Sequence, residues 1–131
     1  EYLEDLCADF ADIAFVASRT GMPVALDELL AQGKSWEPIP QLKALVLKPT
    51  LLGSLANSEA LVARARELKL KVIVSSCFES GIGLGQLARL AGEWAPDQAP
   101  GLDTRRWLAR DLLDKQGQPD PSLMEPLFHR D

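Results

Sequence analysis

The chain has 131 residues, 47% of them hydrophobic and 25% charged, with a formal charge of −5, a profile that excludes disordered and collagenous classes and fits an ordinary globular protein. No apolar run approaches the roughly 18 residues of a membrane span and no charged-then-apolar start marks a signal peptide, so the expectation is a cytoplasmic protein without a membrane partner. An acidic balance with no basic block argues against nucleic acid, and Cys7, Cys77 and the lone His129 are too few soft ligands for structural zinc.

The first segment, EYLEDLC, opens without a methionine and already inside an apolar and charged run, as though cut from something longer. Phe10, Ile13, Ala14 and Ala17 follow at helical spacing, with Gly21 as the stop. MPVALD reads as a short strand. After the polar, proline-bounded AQGKSWEPIPQ, the run ALVLK fits a strand buried on both faces. Asn57 and Ser58 are the expected caps of a helix reaching about Leu70, with Leu61, Ala65 and Leu68 inward. KVIVSS is the next strand, and Leu84, Leu87, Ala88 and Ala91 restore helical spacing beyond a glycine-rich turn. GLDT opens one more predicted helix containing Trp107, Leu108 and Leu112; residues 114–131, with Pro119, Pro121 and Pro126, read as an irregular tail. The basic pairs Arg64/Arg66 and Arg105/Arg106 read as solvated helix faces, and Trp36, Trp94 and His129 as packing or tail residues without chemistry.

Strands that alternate with helices imply right-handed βαβ units and a parallel sheet. The hand-over points from strand to loop fall at Glu4, Asp27, Lys48, Ser76 and Gly101, separated by 23, 21, 28 and 25 residues. Such a run fits a doubly wound sheet or part of a (β/α)8 barrel. Only in the barrel do all C-terminal strand ends meet at one mouth. A series of two carboxylates, an ammonium, hydroxyls and a glycine at those ends is hard to explain as core, because charges at buried strand ends need partners or a metal. A full barrel takes about 250 residues, and some five strands are present here, so the fold expected is the C-terminal half of one.

YLEDLC, VALDELL, LVLKPTLLGSL, VSSCFESGIGLGQLARLA and PGLDT resemble, in order and spacing, the signature segments of the o-succinylbenzoate synthase family of the enolase superfamily. The likeness runs from residue 1 to about Leu113 and is most specific in KPTLLGS and the SSCFESGIGLGQLA segment. The resemblance implies an α/β fold, the C-terminal part of a (β/α)7β TIM-type barrel, entered at about the fourth strand. Residues 1–113 would form strands four to eight, with the N-terminal capping domain and first strands absent. It implies Glu4 and Asp27 as two of three carboxylates holding an essential Mg2+, a hard ion suited to oxygen ligands. Lys48 is the catalytic residue implied, stabilising an enediolate electrostatically; desolvation would lower its pKa, which leaves a proton-transfer role open. Ser75, Ser76, the open amides from Gly81 to Gly83 and Gly101 are implied to bind a small-molecule carboxylate substrate. The activity implied is syn dehydration of a cyclohexadiene carboxylate to aromatic o-succinylbenzoate in menaquinone biosynthesis.

Other readings remain at this point. Glu4 fits a solvated strand end, Asp27 a helix cap, and Glu79 either a partner across the mouth or a solvated loop carboxylate. The whole chain also fits an N-acylamino acid or dipeptide racemase of the same superfamily, or a noncatalytic interaction module. GIGLG lacks the GxGxxG spacing of a dinucleotide site. Where the family commonly has Glu-Glu-Pro-Cys, this chain has Glu4-Asp5-Leu6-Cys7, without the proline that stiffens the loop. Expected partners are the missing N-terminal half or, through unpaired strand edges, another copy of the fragment.

Overall fold

The computed structural model describes residues 1–123; Pro126 and His129 lie outside the described residues. Strands β1 (Leu3–Glu4), β2 (Val24–Leu26), β3 (Leu42–Leu47) and β4 (Lys71–Val74) alternate with helices α1 (Phe10–Thr20), α2 (Glu28–Ala31), α3 (Leu55–Glu67) and α4 (Gly81–Trp94). These four strands pair in parallel and the sheet order is β1-β2-β3-β4, the order of the sequence. That order decides between the two architectures left open by periodicity. A doubly wound sheet reverses direction at a switch point, whereas a barrel adds each strand to the same side of the last.

The expected fifth strand is reduced to a bridge. Gly101 pairs in parallel with Ser75, its N–H donating to the Val74 carbonyl while the Ser76 N–H donates to its own carbonyl, both at 2.9 Å. A Cβ on Gly101 would lie 3.0 Å from Ser75 Oγ, so close approach accounts for glycine there.

The two faces of the sheet bury different residues. Val24, Leu26, Leu45, Leu47, Val72 and Val74 join Ile13, Ala17, Val62, Ala65, Leu87, Ala91 and Trp94 from the helices in the main core. Ala25, Ala44 and Val46, with Tyr2 and Ile73, make a smaller cluster on the opposite face. Because side chains alternate along a strand, the helix-covered side takes the larger residues and the other takes the smaller ones.

Three expectations about elements need correction. Helix α3 starts earlier than expected, because Ser54 rather than Asn57 or Ser58 is its cap, accepting from the Asn57 N–H at 3.1 Å. Its buried face is Ser58, Val62 and Ala65, one position round from the stripe of Leu61, Ala65 and Leu68. In α4 the buried residues are Leu87, Ala91 and Trp94, and Ala88 is exposed. The helix expected after GLDT is a single 3-10 turn, Arg105–Trp107. Trp107 is 68% exposed there, stacked under the Arg106 guanidinium at 5.2 Å; its apolar stripe has no sheet face to cover, and propensity alone does not hold so short a helix.

Two other expectations hold. Gly21 ends α1 in the left-handed region, φ 69°, which suits glycine. Trp94 is buried and Trp36 packs against the main core.

Candidate active site

Three of the four strands end at or just before the hand-over residue expected of them, and β4 ends one residue early, so that Ser75 rather than Ser76 follows it. Glu4 closes β1, while Asp27, Lys48 and Ser75 immediately follow β2, β3 and β4. Counting back in twos, Glu4 shares its face with Tyr2, Asp27 with Ala25, Lys48 with Ala44 and Val46, and Ser75 with Ile73. All four thus continue the small-residue face, away from the helices.

Asp27 and Lys48 meet there. Lys48 Nζ donates to Asp27 Oδ2 at 2.7 Å and to Glu28 Oε1 at 2.6 Å. The Asp27 and Lys48 side chains are 8% and 14% exposed, that of Glu28 58%. Lys48 stays in place because its carbonyl accepts from the Leu51 and Leu52 N–H groups, and Pro49, lacking an N–H, ends the ladder. Burial opposes the ammonium charge, but hydrogen bonds to Asp27 and Glu28 outweigh it and hold the Lys48 pKa above the ordinary lysine value. The lowering expected from desolvation is therefore not what the site produces: Lys48 is a fixed cation. Burial pushes the Asp27 carboxyl up; Lys48 pulls it down, and the Glu28 and Glu4 charges push it further up. Glu4, itself exposed, thus lies near enough for its charge to be felt at Asp27. Glu28 is held below the ordinary range, chiefly by its hydrogen bond to Lys48. Sequence reasoning missed Glu28; its adjacency to Asp27 was the available signal.

The helix-cap reading of Asp27 is half right. Asp27 sits at the N-cap position of α2, but its side chain makes no capping bond. Asp5 does this instead, accepting from the Asp27 N–H at 3.1 Å and the Leu29 N–H at 2.8 Å.

A second group gathers at the end of β4. Ser75 Oγ and Ser76 Oγ donate to the Gly101 carbonyl at 3.3 and 3.0 Å, and Thr104 Oγ1 donates to Ser76 Oγ at 2.9 Å. Thr104 was not singled out from sequence. The Ser75 N–H donates to the Leu47 carbonyl, which sets this group beside the Lys48 strand end. Glu79 is a bridge rather than a solvated loop residue, accepting from Thr50 Oγ1 at 2.5 Å and from the Cys77 N–H at 2.6 Å.

Gly81 stands apart from these. Its amide, expected to be open to a substrate, donates to Asp111 Oδ1 at 2.7 Å, and Asp111 also pairs with Arg105. The Gly81 and Leu112 amides and Arg105 hold the Asp111 carboxyl below the ordinary range, the Gly81 bond foremost and against some desolvation. The Gly83 amide turns to the Ser80 cap. The α4 N-terminus therefore already carries an anion of the same chain.

No protein-family model matches the chain. Among curated proteins it is 37% identical, over its whole length and 39% of the relative, to an o-succinylbenzoate synthase of Pasteurella multocida. It is 40% identical, over 97% of its length and 41% of the relative, to one of Enterobacter. This chain is a homologue of part of the o-succinylbenzoate synthases. It spans about two fifths of the length of these synthase relatives. Among solved structures, MenC of Desulfotalea psychrophila matches 87% of this chain and 34% of its own, with TM-score 0.70 and 22% identity. The L-Ala-D/L-Glu epimerase of Bacillus subtilis matches 87% and 33%, with TM-score 0.69 and 19% identity. Those matches define the fold as part of a β/α barrel.

The synthase resemblance implies a magnesium ion, which can be tested against the donors present. Among the described residues Asp27 Oδ1 is buried without a hydrogen-bond partner, a costly state that a cation or donor relieves. The oxygen donors of Asp27 and Glu4 suit a hard ion. Among the described residues no group of three or more His, Cys, Asp or Glu could hold a metal; Asp27 and Glu4 are the oxygen donors this segment has to offer one.

Proposed function

We propose that the chain is the C-terminal barrel portion of an Mg2+-dependent o-succinylbenzoate synthase. Its reaction would be dehydration of 2-succinyl-6-hydroxy-2,4-cyclohexadiene-1-carboxylate to o-succinylbenzoate in menaquinone biosynthesis, in the cytoplasm. The observation that carries this reading is the largely buried Lys48–Asp27 pair, with Glu4 at the end of the adjacent strand, in a chain whose relatives bear the synthase name.

Glu4 and Asp27, with a third carboxylate from outside this chain, would hold the magnesium ion. When bound, the ion supplies Lewis-acid stabilisation of the negative charge that grows on the substrate carboxylate as its neighbouring carbon loses a proton. Lys48 supplies a second, fixed positive charge on the same face. A raised pKa suits it for stabilising an enediolate and not for removing the proton, so the base lies elsewhere in the complete protein. Ser75, Ser76 and Gly101 form the adjoining wall for the succinyl side. Their hydroxyls now spend their hydrogens on the Gly101 carbonyl and can redirect them to a carboxylate. A substrate carboxylate that reaches Gly81 must displace Asp111.

With two of three metal carboxylates and no proton-transfer group, the 131-residue chain by itself should be inactive. The decisive assay follows the rise of aromatic absorbance. The full-length protein should turn over only with Mg2+, and the isolated chain not at all. Turnover by the isolated chain, or a full-length protein that exchanges the α-proton of an N-acylamino acid without dehydrating the diene, would overturn the assignment.

A further inference from the structure

An aspartate at the N-cap of a helix normally turns its carboxylate back onto the amides of the first turn. Asp27 occupies that position with φ −129° and ψ −93° and does not. The amide its side chain would be expected to take, that of Leu29, donates at 2.8 Å to Asp5 Oδ2, and the Asp27 amide itself donates at 3.1 Å to Asp5 Oδ1. Asp5 thus caps α2 from the neighbouring strand, 22 residues away from Asp27 in sequence.

From this exchange we infer that Asp5 is a positioning residue: by taking over the cap of α2 it releases the Asp27 carboxylate to face Lys48 and the mouth of the sheet. Two features support the inference. Asp5 sits at φ 32°, a region that costs a non-glycine residue energy and that aspartate tolerates better than most. The Asp5 N–H donates to the Ala25 carbonyl at 3.2 Å, continuing the β1–β2 ladder one residue past Glu4. The backbone twist at Asp5 departs from the strand alternation that places Glu4 on the mouth side, and delivers Asp5 to the end of β2. The acid pair Glu4-Asp5 therefore divides its labour, Glu4 towards the mouth and Asp5 towards the backbone beneath Asp27.

Without Asp5 the orphaned Leu29 amide competes with Lys48 for Asp27, and the carboxylate swings back to cap its own helix. The inference rests on the functional proposal only where it concerns magnesium. Hydrogen exchange on the chain itself tests the rest. Asp5→Ala should speed exchange at the Asp27 amide by about 10-fold or more, as expected for loss of a charge-assisted bond, with α3 and α4 unchanged. Asp5→Asn, the same shape with one acceptor lost, should fall between the two and serves if Asp5→Ala does not fold. In the full-length protein, Mg2+ titrated by calorimetry should bind about 10- to 100-fold more weakly to Asp5→Ala, the usual penalty for losing a ligand's supporting partner, with partial recovery in Asp5→Asn. Unaltered Asp27 exchange in both variants overturns the positioning role, as does wild-type Mg2+ affinity in Asp5→Ala. If the unsubstituted full-length protein binds no Mg2+, the functional proposal fails and the exchange result alone decides the role of Asp5.

Discussion

Lys48 shows how two neighbours change what a side chain can do. A lysine after an apolar strand is ordinarily a solvated end, and burial alone would depress its pKa; here Asp27 and Glu28 hold it charged. Lys48→Met should lower full-length turnover by about 10²- to 10³-fold, the scale of losing one preorganised charge in an active site. It also strands the buried Asp27 carboxylate and should destabilise the chain by about 1–3 kcal/mol in chemical denaturation. Since Lys48 titrates above its ordinary 10.5 when folded, its pairing contributes fully below that pH and is lost as pH climbs through the raised value. Asp27 has the same sign, but acts at the acid end. Its raised pKa means that it binds its proton more tightly when folded, so its contribution is largest below its ordinary 3.8 and declines as pH rises through the raised value. Denaturation curves collected from pH 8 to about 11 should therefore show stability declining only at the alkaline end in the parent and no such decline assignable to this pair in Lys48→Met.

At the level of elements, caps and strand ends govern the outcome. Ser54→Ala should cost about 1 kcal/mol, measurable as a lower denaturation midpoint, because the Ser54 hydroxyl accepts from Asn57 at 3.1 Å and α3 depends on it for a start. The segment over the α4 N-terminus is tied by Asp111 to the Gly81 amide. With its pKa held below the ordinary carboxylate range, Asp111 supports that contact above the unfolded value near 4 and loses it as pH falls through the lowered one. Exchange at the Gly81 amide should accelerate in acid, and in Asp111→Ala at neutral pH. The short helix after GLDT illustrates the other side of the same physics: its residues carry helical spacing, but without a face of the sheet to bury against they settle for one 3-10 turn.

For the molecule as a whole, the sheet is an open arc. Among the described residues β1 pairs only with β2, so one side of Leu3–Glu4 offers backbone groups unpaired by them, and Leu3 is 38% exposed. Open edges of this kind recruit another strand. The isolated chain should associate as its concentration rises, seen as a growing sedimentation coefficient, and mixing with the N-terminal half of the full-length protein should suppress this and restore Mg2+-dependent turnover. Association that persists unchanged with that half present would argue that the edge is not where the halves meet.

Periodicity and residue type were enough for the alternation of strands and helices, for Glu4, Asp27 and Lys48 at strand ends, and for the likeness that named the family. These are local signals: a period of two or 3.6 is written in consecutive residues, and a charge after an apolar run is visible without knowing its neighbours. What depended on the tertiary arrangement was the order of the strands, which separated a barrel arc from a doubly wound sheet. So did the sign of the Lys48 shift, the exchange of capping duty between Asp27 and Asp5, and the occupation of the Gly81 amide by Asp111. Each of these is a contact between residues about 20 to 30 positions apart, and its energy turns on distance, burial and competing partners, which no local pattern contains.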